Sequence, residues 1–430
     1  MKVLLFVLFL ALQVTLFADP LKLKVSAKNA VLINADTGAI LYEKNAHDRA
    51  YPASLTKIAT LLYATKKYPM DLDEVVSCPQ HCLRKMNKSV KVAHNYKDPA
   101  YLLEPDGTHF WIKRGEELSL RDLLYGMILA SGNDASNYLA HHLGGSILKF
   151  MKGMNAYLKE IGCKETLFSN PHGLHHPRHY TTAYDLALIT REALKDDLIR
   201  TIVATKEYER SETNLQTAKK VQHSNLLIQP GKFFYPRAIG MKTGYHEDAG
   251  YCFASVARDG ERTLIAILLG GTEPHGRYQD AIRLFDAAFG EEKIQRLLFN
   301  KEENIFSREV KRGRGNLLAT LTEDVAIAYY PSEEPNITIE LNWEYQTLPI
   351  KRGSHVGAIK ILDAEGHALE SAPLVATQDV MRSYTALVAD AIRGDWECPA
   401  DLQNLLIIFL ATGLGLTLYG IYRAQKFSKF

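Results

Sequence analysis

Residues 51–62 read YPASLTKIATLL and set Ser54 and Lys57 three positions apart at the start of an expected helix. Pro52 and Ser54 are helix-start signals, and Leu55, Ile58, Ala59 and Leu62 fall on one face that should pack inward. Residues at i and i+3 project from the same side of a helix, so the hydroxyl and the amine lie within reach of each other. An alcohol becomes a competent nucleophile when a neighbouring base takes its proton. A lysine withdrawn from water can be that base, because burial lowers its pKa. Ser-x-x-Lys is a short pattern, so what surrounds it carries the weight.

Two further stretches follow in order: residues 128–136, ILASGNDAS, at the end of a strongly patterned helix, and residues 239–245, IGMKTGY, in a short apolar run. Together with YPASLTK they resemble the three motifs of the D-alanyl-D-alanine carboxypeptidases, the low-molecular-mass penicillin-binding proteins. The similarity extends to NAVLINADTGAILYEKNAHDRAYPAS (29–54), HYTTAYDLA (179–187) and LPIKRGSHVGAIKILDAEGHALESAPLVA (348–376).

The resemblance implies a transpeptidase/β-lactamase-like fold and a serine acyl-transfer mechanism that needs neither cofactor nor metal. Ser54 is then the nucleophile, Lys57 its base and Ser131 a proton relay to the leaving amine. Asn133 orients the substrate amide, and the backbone NH groups of Ser54 and Tyr245 form the oxyanion hole. Lys242 and Thr243 hold the substrate carboxylate, assisted by Arg277 in the HGR stretch, and Gly244 belongs to the same substrate-binding motif. The implied substrate is a peptidoglycan stem peptide ending in D-Ala-D-Ala, with β-lactams as acylating inhibitors. Three alternatives remain: a D,D-endopeptidase acting on cross-links, a class A β-lactamase, and a penicillin-reactive scaffold with little turnover. The β-lactamase is disfavoured because Gly132 stands where that enzyme has Asp.

The rest of the chain frames these motifs. With 430 residues, 47% of them hydrophobic and 23% charged, it can hold one large domain and a smaller one. A net charge of +2 gives no electrostatic case for nucleic acid. Residues 30–34 and 39–43 flank Asp36, Thr37 and Gly38 as a β-hairpin. Ser119 and Asp122 cap a helix with a stripe of Leu120, Leu123, Leu124, Met127 and Ile128, expected to deliver Ser131 and Asn133 at its C-terminal end. Helices also follow Thr182 and span 279–289, while 239–243, 251–258 and 262–269 read as strands. The expected class is α+β, helices beside an antiparallel sheet, over residues 19–290. Residues 303–395 read as a second, β-rich domain with a helix from 380 to 393. Residues 77–114, rich in Lys, Asn, His and Pro, have no assigned role.

The termini read as export signals. Residues 1–18 resemble a secretory leader, and 405–422, LLIIFLATGLGLTLYGIY, are long and apolar enough for a membrane anchor after a linker at 396–404. Arg423, Lys426 and Lys429 would keep the tail, 423–430, in the cytoplasm, with the catalytic domain on the outer face of the bacterial inner membrane. Five cysteines, an odd count, form no dense disulfide framework. Cys78, His81 and Cys82 invite a metal reading but show no fourth ligand nearby, and His172, His175, His176 and His179 cluster without a metalloprotease spacing, so no metal is assigned.

Overall fold

The structure is a computed structural model that describes residues 12–14, 20–77, 79–344, 346–364, 366–393 and 412. The chain separates into two compact units, one of residues 17–293 with 329–334, the other of 1–16, 294–328 and 335–430.

The larger unit is built on a five-stranded antiparallel sheet in the order Ile40–Lys44, Asn29–Asn34, Arg262–Gly271, Gly250–Asp259, Ala238–His246. Side chains alternate across a strand, and both faces here are apolar. Val31, Ile33, Ile265 and Ile267 join the core made by the helices between residues 56 and 204, whereas Leu32, Leu264, Ala266 and Leu268 pack on Leu284 and Phe285. Helices therefore cover both faces of the antiparallel sheet, an α+β arrangement as expected. Asn29–Asn34 is accordingly buried at every position.

The helix Thr56–Lys67 lies inside this assembly and touches the helices Leu120–Ile128, Asn133–Gly144, Ile147–Glu160 and Ala183–Ala193. Residues 56–64 are all buried, so the inward face extends around the whole helix. That is the physical reason a lysine at position 57 ends up away from water.

Several element boundaries differ from the sequence reading. The strand carrying the third motif runs Ala238–His246, and the last helix of the unit starts at Gly276. The capped helix Leu120–Ile128 stops before Ser131, and Asn133 opens a new helix, Asn133–Gly144. In the second unit the helix is Tyr384–Arg393, because Val380 instead pairs with Ile350. That unit holds a six-stranded sheet in the order Leu12–Val14, Ile337–Trp343, His355–Leu362, Ala368–Ala376, Asn316–Leu321, Ile305–Glu309. The alternating burial of Asn316–Leu321 marks one wet and one packed face.

Among the described residues no helix is long and apolar enough to cross a membrane. The anchor segment 405–422 lies outside the described residues apart from Thr412, and the leader 1–18 lies outside them apart from Leu12–Val14.

Candidate active site

Ser54 sits in a single 3-10 turn, Ala53–Leu55, directly before the buried helix. Its predecessor Ala53 has φ 48°, a left-handed conformation that costs a non-glycine residue about 1–3 kcal/mol and persists only when neighbours enforce it. The enforcement is visible. The Thr56 hydroxyl donates to the Ala53 carbonyl at 2.9 Å, and His179 Nε2 lies 2.8 Å from that hydroxyl. His179 Nδ1 accepts from Ser169 N, so the proton of the neutral ring sits on Nε2, facing Thr56. Burial, first, and the neighbouring histidines hold this ring well below the usual imidazole pKa. Gly173 completes the support: at φ 94° it lies so close that an added Cβ would fall 1.9 Å from the Ala53 carbonyl oxygen.

Lys57 is wholly buried, and its Nζ meets Ser54 Oγ at 2.9 Å, Asn133 Oδ1 at 2.7 Å and the His172 carbonyl at 2.7 Å. Desolvation, with a smaller contribution from the Lys242 charge, drives its pKa well below that of a free lysine, against the opposing pull of Asp134. A neutral amine has two N–H bonds and one lone pair. Asn133 Oδ1 and the His172 carbonyl are pure acceptors and take the two N–H bonds. The lone pair then faces Ser54, whose hydroxyl can donate to it.

The second motif is held by residues 77–114, which thereby acquire a structural role. Asp134 accepts from the backbone NH groups of Phe110 at 2.7 Å and Ile112 at 3.1 Å, while Asn133 N donates to the Thr108 carbonyl. The Thr108 hydroxyl donates to the Ser131 carbonyl at 2.8 Å. Ser131 is itself left-handed, φ 57°, and nearly buried. Gly132 has no room for a side chain: a Cβ would lie 2.8 Å from Phe110 Cβ and 3.1 Å from Asp134 Oδ1. An aspartate at that position, as in the β-lactamase alternative, would not fit this wall.

The third motif lies on the strand Ala238–His246, an edge of the five-stranded sheet, next to the nucleophile turn. A Cβ on Gly244 would stand 3.0 Å from Ser54 N, so glycine lets the strand approach the backbone NH assigned to the oxyanion hole. An edge-strand lysine is ordinarily solvated, but Lys242 is fully buried; desolvation, then the Arg277 charge, lowers its pKa to about 7. The Thr243 hydroxyl lies 2.6 Å from Ser224 Oγ. Met241, ahead of Lys242, has φ 110°, so each of the three motifs contains or directly follows a non-glycine residue with positive φ. Tyr245 is half-exposed and its ring stacks on Tyr251 at 4.4 Å. Arg277 donates to the Gly244 carbonyl at 3.0 Å and the Cys252 carbonyl at 3.3 Å, and its guanidinium lies over the rings of Tyr251 and Tyr278. It braces the strand as well as placing charge near Lys242.

Several supporting residues were not singled out by sequence. The His172 carbonyl is aimed by the turn 170–174, where Asn170 Oδ1 accepts from His172 N and Gly173 N. Ser224 is held by the donation of Tyr278 OH to its carbonyl. Asn170 preceding Pro-His-Gly was the available turn signal; the contacts themselves join segments far apart in sequence. The four-histidine stretch disperses: His172 and His179 serve these supports, whereas His175 turns towards His246 and Asp248, beside Lys88.

A serine hydroxyl bonded to a buried, depressed-pKa lysine, beside a lysine-bearing edge strand, with a second serine two residues before the asparagine that holds that lysine, defines a serine acyl-transferase of the penicillin-recognising class. Residues 15–273 match the D-alanyl-D-alanine carboxypeptidase family, peptidase S11, and the chain belongs to it. It is a serine-type D-Ala-D-Ala carboxypeptidase, as the resemblance implied. The D-alanyl-D-alanine carboxypeptidase DacF of Bacillus subtilis is 32% identical over 376 residues, covering 86% of this chain and 90% of that one. DacA of Haemophilus influenzae is 28% identical over 369 residues, covering 83% and 86%. Among solved structures, penicillin binding protein 5 from Haemophilus influenzae superimposes with a TM-score of 0.56 at 26% identity, over 84% of this chain and 98% of that one. The Streptomyces K15 DD-transpeptidase gives 0.54 at 28% identity, over 63% and 99%.

Proposed function

We propose that Ser54 attacks the carbonyl between the two terminal D-alanines of a peptidoglycan pentapeptide while Lys57 takes its proton. The carbonyl carbon becomes tetrahedral with its oxygen negative, in reach of the Ser54 and Tyr245 backbone NH groups. Collapse breaks the amide bond, and Ser131 passes a proton to the departing D-alanine nitrogen. Water activated by the same lysine then hydrolyses the acyl-enzyme and returns the Ser54 hydroxyl. Asn133 holds both Lys57 and the substrate amide. Lys242, Thr243 and Gly244 receive the terminal carboxylate, with Arg277 fixing their strand. The observation that carries this reading is the 2.9 Å contact between the wholly buried Lys57 Nζ and the Oγ of the partly exposed Ser54. No metal or cofactor takes part. β-Lactams would acylate the same hydroxyl.

The proposal extends to location. The apolar run 405–422, followed by Arg423, Lys426 and Lys429, supports an inner-membrane anchor, and 1–18 supports export, placing catalysis on the outer face. Alkaline carbonate extraction of bacterial membranes tests the anchor: the full chain should stay in the pellet and a chain ending at 404 should not.

Incubating the protein with a pentapeptide and separately with a cross-linked dimer, then weighing the products, tests the reaction. Free D-alanine from the pentapeptide with the dimer intact is the expected result. Faster cleavage of the dimer would make the protein an endopeptidase, and stalled acyl-enzyme without products would make it a penicillin-reactive scaffold.

A further inference from the structure

The Cys-Pro-Gln-His-Cys stretch at 78–82 lacked a further ligand in the sequence, and the fold supplies one. The 3-10 turn Gln80–Leu83 rests on the helix Asn133–Gly144, where the Asn137 side chain donates to the Cys82 carbonyl at 3.0 Å. One turn further along that helix, His141 Nδ1 lies 3.2 Å from His81 Nε2. Cys82 is a buried free thiol, and one ligand atom from each of His81, Cys82 and His141 lies within 4.8 Å of the others. Cys78 lies outside the described residues.

We propose that His81, Cys82 and His141 form a zinc site, with the fourth position open to water on the exposed side of His81. Two imidazole nitrogens on one tetrahedral zinc, each at about 2.0–2.1 Å from the metal, stand roughly 3.3 Å apart, close to the separation found here. One thiolate with two imidazoles is a donor set that favours zinc over calcium or magnesium, which select oxygen ligands. On binding, the imidazole that donated the shared hydrogen bond shifts its proton to its other ring nitrogen and the Cys82 thiol gives up its proton, so one proton is released per zinc. The site would tie the 77–114 wall to the helix whose first residue, Asn133, contacts Lys57, and would shield the thiol from oxidation.

The test uses the intact chain in detergent, dialysed against chelator and then against zinc chloride, with metal counted by mass spectrometry. About one zinc per chain should remain, falling below about a tenth in the doubly substituted His81→Ala/His141→Ala protein. Zinc should also raise Tm in the parent and not in the double variant. Cobalt in place of zinc should give a near-ultraviolet thiolate charge-transfer band that Cys82→Ser removes. His81 is exposed, so His81→Ala alone should fold, release D-alanine from pentapeptide normally and still bind zinc more weakly than the parent. A His175→Ala/His246→Ala protein should keep its zinc. The proposal is overturned if the parent holds no zinc, if zinc survives loss of His81 and His141, or if it follows His175 and His246 instead.

Discussion

The carbonyl oxygen of His172 lies 2.7 Å from Lys57 Nζ. With Asn133 it occupies the amine's two N–H bonds and leaves the lone pair to Ser54. A main-chain acceptor cannot be deleted by changing its own side chain, but it can be displaced. Gly173, next to it, has φ 94° and no space for a Cβ against the Ala53 carbonyl. Gly173→Ala should shift the nucleophile turn or the His172 carbonyl and lower kcat/KM for pentapeptide by roughly a hundredfold, the scale of an ångström-sized misplacement. A Gly173→Ala protein of parental Tm and parental kcat/KM would show that this carbonyl does not set the lysine.

Lys57→Arg should be nearly as inactive as Lys57→Ala, because guanidinium stays protonated and cannot accept the Ser54 proton. Steady-state pentapeptide hydrolysis distinguishes the cases, and an active arginine variant would remove Lys57 from the role of base.

The two buried lysines give opposite limbs to the pH profile. Lys57 must lose its proton to act, and its pKa is held well below that of a free lysine; Lys242 must keep its proton to receive a carboxylate, and its pKa is about 7. The kcat/KM should rise with pH as Lys57 deprotonates and fall again through the Lys242 titration, the two steps being coupled by mutual repulsion. Arg277 is one of the causes that depress Lys242. Arg277→Ala should therefore move the alkaline limb to higher pH while lowering the plateau, because the Gly244 carbonyl loses its donor. An unmoved limb would separate Arg277 from Lys242. Comparing free-acid and C-terminally amidated substrates shows which effect dominates: equal losses mean strand bracing, a selective loss on the free acid means carboxylate binding.

Burying the Lys242 charge also costs stability. Its folded pKa of about 7 lies below the unfolded value near 10.4, so between those pH values the unfolded chain binds the extra proton and stability rises with pH. Below about pH 7 both states are protonated and the penalty is constant and largest. Lys242→Met should raise Tm at pH 6 by about 2–5 °C and flatten the rise between pH 7 and 10, while D-alanine release falls. A lowered Tm at pH 6 would contradict a desolvated charge at this position.

Much of the site could be read from the sequence because its parts are local. Ser54 and Lys57 share one turn, the hairpin around Asp36–Gly38 carries its own turn chemistry, and Ser119 caps its helix as expected. What escaped was set by distant packing. Nothing near position 134 announces that its carboxylate binds the backbone of Phe110 and Ile112, and a carbonyl such as that of His172 leaves no compositional trace. The helix end ahead of Ser131 was expected, but not that Asn133 opens a second helix, because no side-chain cap announces it. The left-handed Ser131 marks it only in three dimensions.

Intact-mass measurement after brief exposure to benzylpenicillin, followed by peptide mapping, tests the nucleophile most directly. A single penicilloyl adduct on the peptide containing Ser54, absent in Ser54→Ala together with all D-alanine release, is the predicted result. An adduct on any other residue, or its persistence in Ser54→Ala, would contradict it.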